Sequence, residues 1–179
     1  MERAPAGPSA LLESLPPVAN KNAEILILGS MPGPASLAAQ AYYAHPQNAL
    51  WPILGAIFGF DANAPYTLRL DALRCRGVAL WDVLARCRRE GAADATIRAV
   101  EVNDFGKFFT AHRQLRRICF NGGTAARLFR RHVPPAALPR GIELLDLPST
   151  SPAYAAMPRS RKLAHWQTAL CDSAPRSTG

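Results

Sequence analysis

The sequence predicts a three-layer α/β/α sandwich with a central four-stranded parallel sheet. Four short apolar runs recur at wide intervals, and each ends at a turn or a helix start, as buried parallel strands do. Helical patterns separate the runs, and strands that alternate with helices form a parallel sheet covered on both faces. The predicted strands span residues 24–28, 77–81, 116–120 and 142–147.

Helices are predicted wherever the apolar residues fall on one stripe of a helix. One of them starts at Asn103, because asparagine favours the residue that caps a helix. Its buried face holds Phe105, Phe108 and Phe109. The other predicted helices span residues 48–58, 122–132 and 159–171.

The chain of 179 residues suits a single domain with one sizeable core, which we assign to residues 11–172. The flanking segments 1–10 and 173–179 are rich in proline, alanine, serine and glycine, so we expect loose tails there. A hydrophobic content of 49% and a charged content of 19% are typical of a soluble globular protein. Because neither a secretory signal nor a membrane-length apolar run is visible, we expect a cytoplasmic protein.

The charge balance favours a polyanionic partner. Lys and Arg total 21 against 13 Asp and Glu, which gives a net charge of +8, and nucleic acid is the commonest partner of such proteins. The alternative is a merely basic surface. The four cysteines are scattered without any C-x-x-C pair, so we expect reduced thiols and no metal cluster.

Ligands in such sheets bind at the carboxyl ends of the strands, so the loops that follow the strands are the candidate sites. The first strand runs into Gly29, Ser30, Met31, Pro32 and Gly33, where the glycines allow the backbone to approach a ligand closely. This loop can present amide N–H groups to an anion or a carbonyl. It matches neither a phosphate-binding P-loop nor a dinucleotide motif, and alone it predicts only a turn.

Two adjacent tyrosines and an asparagine follow this loop. Of Tyr42 and Tyr43, one is expected to fill the core, and the other can stack on a planar base for roughly 1–3 kcal/mol. Asn48 stands where the next helix begins, so it either caps that helix or serves a site. His45 has the same two interpretations, as a site residue or as a structural neighbour of the following proline.

The fourth strand ends in a loop of small hydroxyl side chains between two prolines. Ser149, Thr150 and Ser151 either bind phosphates or form an ordinary Ser/Pro turn. Tyr154 ends this loop, and Arg159 follows with a positive charge that can lie at the same edge of the sheet.

Three motifs in order carry a family resemblance. They are the Gly-Ser-Met-Pro-Gly loop, the Tyr-Tyr-Ala-His-Pro-Gln-Asn-x-x-Trp segment and the Leu-Pro-Ser-Thr-Ser-Pro-Ala loop. Together they resemble the uracil-DNA glycosylase superfamily, and the closest branch is the hypoxanthine-DNA, or deoxyinosine, glycosylases. The similarity extends through residues 15–170, which is nearly the whole chain.

The resemblance implies a monofunctional DNA glycosylase of base excision repair. Such an enzyme flips a damaged base out of double-stranded DNA and hydrolyses its N-glycosidic bond without a cofactor. It also implies the superfamily's four-stranded parallel sheet between helices, which agrees with the four apolar runs. We further expect a monomer that associates with the nucleoid.

Two departures argue against a standard uracil enzyme. Many members of the superfamily carry Asn or Asp in the first loop to position the attacking water, whereas this loop offers Ser30 and Met31. Many uracil-specific members carry a histidine in the last motif, where this chain has Leu147. The segment 91–97 has also lost hydroxyl side chains that the family uses, so phosphate contacts there are in doubt.

In the hypoxanthine branch, the catalytic role falls to the asparagine that corresponds to Asn48. Its amide would orient water toward C1′, because an amide is a poor general base. The backbone amides of residues 30–33 would donate to a base carbonyl, and Tyr43 would stack on the flipped base. Asp82, at the end of the second strand, would either approach the base or cap a following helix. Asn121, at the end of the third, is expected to face the same pocket.

The last loop is expected to lie against DNA, with Ser149, Thr150 or Ser151 on phosphates and Tyr154 filling the gap left by the base. Three alternatives stay open at this point. The first is a related glycosylase that prefers uracil or xanthine. The second is a non-catalytic protein that binds DNA lesions, and the third is a small-molecule nucleoside hydrolase, which the positive charge disfavours.

Overall fold

A computed structural model describes residues 10–171, and within them the chain forms seven strands and six α-helices. The strands are β1 (Leu11–Glu13), β2 (Ile25–Gly29), β3 (Val78–Asp82), β4 (Leu84–Arg88), β5 (Arg98–Val102), β6 (Arg117–Asn121) and β7 (Glu143–Leu147). The helices are α1 (Pro34–Ala39), α2 (Leu50–Phe58), α3 (Tyr66–Cys75), α4 (Phe105–Ala111), α5 (Gly123–His132) and α6 (Arg159–Cys171). Of the two predicted tails, only Ala10 lies inside the described residues.

The central sheet has four parallel strands in the order β3-β2-β6-β7, which confirms the predicted fold class. Each of its strands lies within one residue of a predicted run. Every residue of β2 and β3 is buried, because these strands are covered on both faces and carry apolar side chains in an unbroken run. The sheet is therefore the centre of the core.

Helices cover both faces of this sheet. The crossovers from β2 to β3 and from β6 to β7 run in opposite directions, so right-handed connections put α3 and α5 on opposite faces. Helix α4 joins α5, since the ring centroids of Phe105 and Phe129 lie 5.0 Å apart. Helix α6 packs on α2 and on β7. None of the helices in residues 10–171 is long and apolar enough to cross a membrane.

A second, antiparallel sheet in the order β1-β4-β5 was not predicted. Its middle strand begins only two residues after β3 ends, so no turn signal separates the two in the sequence. Helices α1 and α3 were also missed. Asn103 does not cap α4: the carboxylate of Asp104 accepts from the Lys107 amide at 2.9 Å, and Asn103 donates to the Asp82 carbonyl at 2.8 Å.

The carboxyl ends of all four parallel strands meet at one edge of the sheet. Gly29 is the register partner of Asp82, and Asn121 is the register partner of Leu147. The connection that leaves β2 runs toward β3, and the connection that leaves β6 runs toward β7 in the other direction. The two connections therefore cover opposite faces of the sheet and separate between β2 and β6. Such a switch point opens a crevice beyond the strand ends, where ligands bind in α/β proteins.

Candidate active site

A cleft of ≈ 460 Å³ lies at this edge of the sheet. The structure brings together in its walls the predicted site residues of the first loop, the tyrosine segment, the ends of β3 and β6, and the last loop. Of the predicted residues, Arg159 alone does not line the cleft. It is exposed at the first position of α6.

The first loop needs glycine at Gly29 because its neighbours leave no room for a side chain. A Cβ atom there would overlap the Oδ1 atom of Asp82 and would lie 3.1 Å from the Tyr43 hydroxyl oxygen. The carbonyls of Gly29 and Ser30 accept from the amides of Val83 and Leu84, at 2.9 and 3.1 Å. The turn after β2 is therefore fastened to the residues after β3.

A buried arginine holds the rest of this loop. The side chain of Arg89 is 1% exposed, and its guanidinium donates to the carbonyls of Met31, Pro32 and Gly91 at 3.3, 2.7 and 3.1 Å. Asp94 lies 3.8 Å from the same group and accepts from the Ser30 hydroxyl at 2.7 Å.

Sequence reasoning missed both Arg89 and Asp94. Arg89 follows Arg88 directly, and nothing in such a basic pair indicates which member turns inward. The only available signal was an alternation that runs from β4 into the next residues, in which Cys87 and Arg89 are buried while Arg86, Arg88 and Glu90 are exposed.

The two tyrosines have different environments, as expected. Tyr42 is buried, with its hydroxyl donating to the Leu15 carbonyl at 3.0 Å and its own carbonyl accepting from the Trp51 indole at 3.0 Å. Tyr43 is half-buried in the cleft wall with φ +55°, a left-handed conformation that few non-glycine residues adopt. Its hydroxyl oxygen is buried and has no hydrogen-bond partner among the described residues.

Asn48 is half-buried in the cleft wall just before α2. Its Oδ1 atom accepts from the Leu50 amide at 3.0 Å, which forms a tight turn ahead of α2. The residue that caps this helix is Ala49, so the alternative that Asn48 is the cap is wrong. His45 is exposed at the rim, and its Nδ1 atom accepts from the Gln47 amide at 3.1 Å. The turn that begins at His45 closes when its carbonyl accepts from the Asn48 amide. These contacts fix the backbone that carries Asn48.

Asp82 is 3% exposed at the floor of the cleft. Burial raises its pKa to about 7, and repulsion by Asp94 acts in the same direction, whereas Ser14 and Arg89 oppose the rise. The Ser14 hydroxyl donates to its Oδ2 atom at 3.3 Å. The alternative that Asp82 caps a helix is wrong, because the next element is strand β4.

Asn121 and Thr150 fasten the last loop to the sheet. The Asn121 amide donates to the Thr150 hydroxyl at 2.8 Å, and its carbonyl oxygen accepts from the Thr150 backbone at 2.8 Å. Thr150 is 1% exposed, so its hydroxyl is placed inside the loop and not on a DNA-facing surface. We therefore withdraw the phosphate contact predicted for Thr150. Both the nitrogen and the oxygen of the Asn121 side-chain amide are hydrogen-bonded to Thr150.

The remaining residues of the last loop form the rim of the cleft. Ser149 and Ser151 are half-buried, and their hydroxyls accept from the amides of Ser151 and Ala153 at 3.2 Å each. Tyr154 is 40% exposed, and the buried Lys162 lies 5.0 Å from its ring centroid. Among residues 10–171, no group of three or more His, Cys, Asp or Glu could hold a metal ion.

Comparisons with known proteins agree with this geometry. A sequence profile of the family described as the uracil DNA glycosylase superfamily matches residues 16–173. A protein from Methanosarcina barkeri named hypoxanthine DNA glycosylase is 37% identical over 151 residues, covering 84% of this chain and 92% of its own length. A protein of the same name from Methanosarcina acetivorans is 35% identical over 153 residues, covering 85% and 93%.

A solved structure is also similar. The solution NMR structure of a candidate uracil DNA glycosylase from Methanosarcina acetivorans matches with a TM-score of 0.72 and 33% identity, over 88% of this chain and 98% of that one. The predicted family and the predicted enzyme class, a DNA N-glycosylase, are confirmed by these matches. Since the matches span most of the chain and include all three motifs of the cleft, the chain belongs to the uracil-DNA glycosylase superfamily.

Proposed function

We propose that this glycosylase removes hypoxanthine from deoxyinosine in double-stranded DNA and leaves an abasic site. The observation that carries the proposal is the convergence of Asn48, Tyr43 and the first loop in one cleft at the strand ends. The names of the two relatives at 35% and 37% identity support the choice of hypoxanthine. The cleft volume of ≈ 460 Å³ falls in the usual range for small-ligand pockets, roughly 300–1,000 Å³.

The flipped base would bind between the first loop and Tyr43. Hypoxanthine has a carbonyl oxygen that accepts hydrogen bonds, and the backbone amides of Ser30, Met31 and Gly33 supply donors in a largely buried loop. The Tyr43 ring offers a stacking surface in the cleft wall. Its left-handed backbone supports a specific function for this residue, because such strain persists mainly where the fold requires one orientation.

The reaction breaks the bond between C1′ and N9, and its electron pair leaves with the base. Positive charge develops on the sugar and negative charge on hypoxanthine, whose carbonyl spreads that charge. A water oxygen then forms the new bond to C1′ and one O–H bond of that water breaks, while the departing base takes up a proton, so the protons balance. The protein therefore needs oriented donors and a positioned water more than a strong acid.

Asn48 is our choice for holding that water. Its Oδ1 atom already accepts from the Leu50 amide, which fixes the side chain, and an amide oxygen has a second lone pair for water. A side chain fixed in this way loses little freedom when the substrate binds, so its contribution to orientation is large.

The rim of the cleft would meet the DNA backbone. Ser149, Ser151 and the basic start of α6 are the proposed phosphate contacts, and the exposed ring of Tyr154 is the proposed wedge. We further propose that the protein acts as a monomer in the cytoplasm, on nucleoid DNA.

The test is a panel of end-labelled duplexes that contain one deoxyinosine, deoxyuridine or deoxyxanthosine, followed by alkaline cleavage of abasic sites. We expect strand breaks at deoxyinosine under single-turnover conditions, and slower or no cleavage at the other two. Cleavage only at deoxyuridine would keep the enzyme class and refute the base preference. Salt-sensitive DNA binding without any cleavage would instead favour a lesion-binding protein.

A further inference from the structure

Arg89 is a buried cation that the reaction described above does not use. Its side chain is 1% exposed, and its three hydrogen bonds all go to backbone carbonyls, two of them in the first loop. Burying a guanidinium costs several kcal/mol unless partners compensate for the lost water. Backbone carbonyls at a turn can accept hydrogen bonds from water or from nearby backbone amides, without a buried cation. The use of a buried arginine therefore indicates that the loop is required in one particular conformation.

The nearest carboxylate to Arg89, that of Asp94, does not form a close ion pair with it. Asp94 lies 3.8 Å from the guanidinium, beyond hydrogen-bonding distance, while its other oxygen accepts from Ser30 at 2.7 Å. Asp94 is also half-exposed at the cleft, on the segment that follows β4. The segment and the first loop are therefore joined at two points, through Arg89 and through the Ser30 hydroxyl.

The orientation of the first loop follows from peptide geometry. No described peptide bond is cis, so the C=O and N–H of each peptide unit point in opposite directions. When Arg89 holds the Pro32 carbonyl, the Gly33 N–H of the same peptide unit points away from the guanidinium. Among the described residues, no protein group accepts from that N–H. It therefore remains available as a donor to a ligand.

We propose that Arg89 is a positioning residue for base removal. By holding the Met31 and Pro32 carbonyls, it keeps the first loop in the conformation that presents the Gly33 amide to the departing base. This inference rests on the proposed glycosylase function. The guanidinium is almost fully buried and its hydrogen bonds go to backbone carbonyls, so in this proposal it acts through the backbone of the loop. Its effect should therefore fall on the rate of bond cleavage and not on DNA affinity.

The experiment compares wild-type protein with Arg89→Ala and Arg89→Lys, and uses Arg74→Ala as the control for loss of one positive charge. Arg74 is a partly exposed residue of α3 whose ion pair with Asp71 lies at the surface. Three quantities are measured: the single-turnover rate on a deoxyinosine duplex, the Kd for a duplex with 2′-fluoro-deoxyinosine, and the Tm. The 2′-fluorine withdraws electrons from C1′, so this duplex binds without being cleaved.

We expect Arg89→Ala to lower the rate on the order of 100-fold, the usual cost of a misdirected oxyanion donor, with the Kd changed less than about twofold. Arg89→Lys should also lose at least about tenfold, because one ammonium group cannot span two carbonyls as the planar guanidinium does. Arg74→Ala should cleave at the wild-type rate.

Three results would overturn the inference. One is a wild-type rate in Arg89→Ala, and another is full rescue by lysine, which would mean that charge alone matters. The third is a parallel loss of affinity and rate in both variants together with a large drop in Tm, which would make Arg89 a general scaffold residue. A wild-type protein that fails to cleave deoxyinosine would instead refute the proposed function.

Discussion

Asp82 has an environment that opposes its own charge. The residue is 3% exposed, and among the described residues its carboxylate accepts a hydrogen bond only from Ser14, at 3.3 Å, so desolvation outweighs the stabilisation of the ionised form. A pKa of about 7 means that the group is partly protonated at neutral pH. The unpartnered Tyr43 hydroxyl approaches the same place above Gly29.

This raised pKa predicts a pH-dependent stability that Asp82→Asn removes. The folded protein holds the Asp82 proton up to pH about 7, whereas the unfolded chain releases it near the ordinary value of 3.8. Between these values the folded state binds more protons, so the free energy of unfolding falls as pH rises, and the loss is complete above pH 7. The difference in the free energy of unfolding between Asp82→Asn and wild type should therefore grow in favour of the variant toward pH 7 and then level off.

Urea unfolding of both proteins at pH 5, 6, 7 and 8 measures this difference. We expect the free energy of unfolding of the variant, relative to wild type, to rise by on the order of a few kcal/mol over this range. Other titrating groups are common to both proteins and largely cancel. A difference that is constant with pH would show that Asp82 ionises normally in the folded protein.

At the residue scale, the sequence could place side chains that follow strand ends, but not those that depend on packing. Asp82 and Asn121 line the cleft because they end the two parallel strands that flank β2, whereas Tyr43 and Asn48 belong to the motif that carries the family resemblance. Their catalytic roles stay predictions. The inward turn of Arg89 and the burial of Thr150 depend on contacts with distant segments, 57 and 29 residues away in the chain, which no local pattern reports.

At the element scale, the turn after β2 is shaped by what surrounds each glycine. Gly29 is packed against Asp82 and Tyr43, whereas a Cβ atom at Gly33 would meet nothing within 4 Å. Gly33 also has φ −69°, which any residue adopts without strain. The two glycines of one loop are therefore a matched pair for testing how tightly the loop packs.

We expect Gly29→Ala to destabilise the protein by about 1–3 kcal/mol, because the added methyl group must displace the Asp82 carboxyl or the Tyr43 hydroxyl. Gly33→Ala should change stability by less than about 0.5 kcal/mol, as surface substitutions usually do. Thermal and urea unfolding of both variants measure the two effects. Equal stability of the two variants would contradict the close packing of the loop.

The same scale shows where prediction of the fold succeeds. The parallel strands were predictable because each is a short, mainly apolar run with a helix before it or after it in the chain. The antiparallel sheet was not, because β1 has three residues and β4 alternates buried positions with arginines, so neither forms an apolar run. Helix α3 lacks a clean stripe, since its Leu68 is 58% exposed.

At the scale of the whole molecule, the net charge of +8 predicts strongly salt-dependent DNA binding. Each neutralised phosphate releases counterions, so log Kd should change linearly with log salt, with a slope of about 0.9 for each phosphate contact. Between about 50 and 200 mM salt, we expect a slope that corresponds to several phosphate contacts. Fluorescence anisotropy with an undamaged duplex measures it, and a slope near zero would contradict a DNA-binding rim.

The assignment of one domain to residues 11–172 stays a prediction at this scale. What the structure adds is that both sheets meet at the candidate site. Strand β4 follows β3 after one residue and carries Arg89 just beyond its end, so the antiparallel sheet brings Arg89 to the first loop of the parallel one.

Asn48 is the residue that we propose positions water for hydrolysis of deoxyinosine, and the cleavage rates of Asn48 variants test this role. Single-turnover cleavage of a deoxyinosine duplex is compared for wild type, Asn48→Ala and Asn48→Asp. The aspartate keeps an acceptor for the Leu50 amide, so it controls for the loss of that hydrogen bond, which is worth about 1 kcal/mol. We predict at least a ~100-fold lower rate for Asn48→Ala with the fold intact, and retention to within about tenfold for Asn48→Asp. Wild-type cleavage by folded Asn48→Ala would contradict the account.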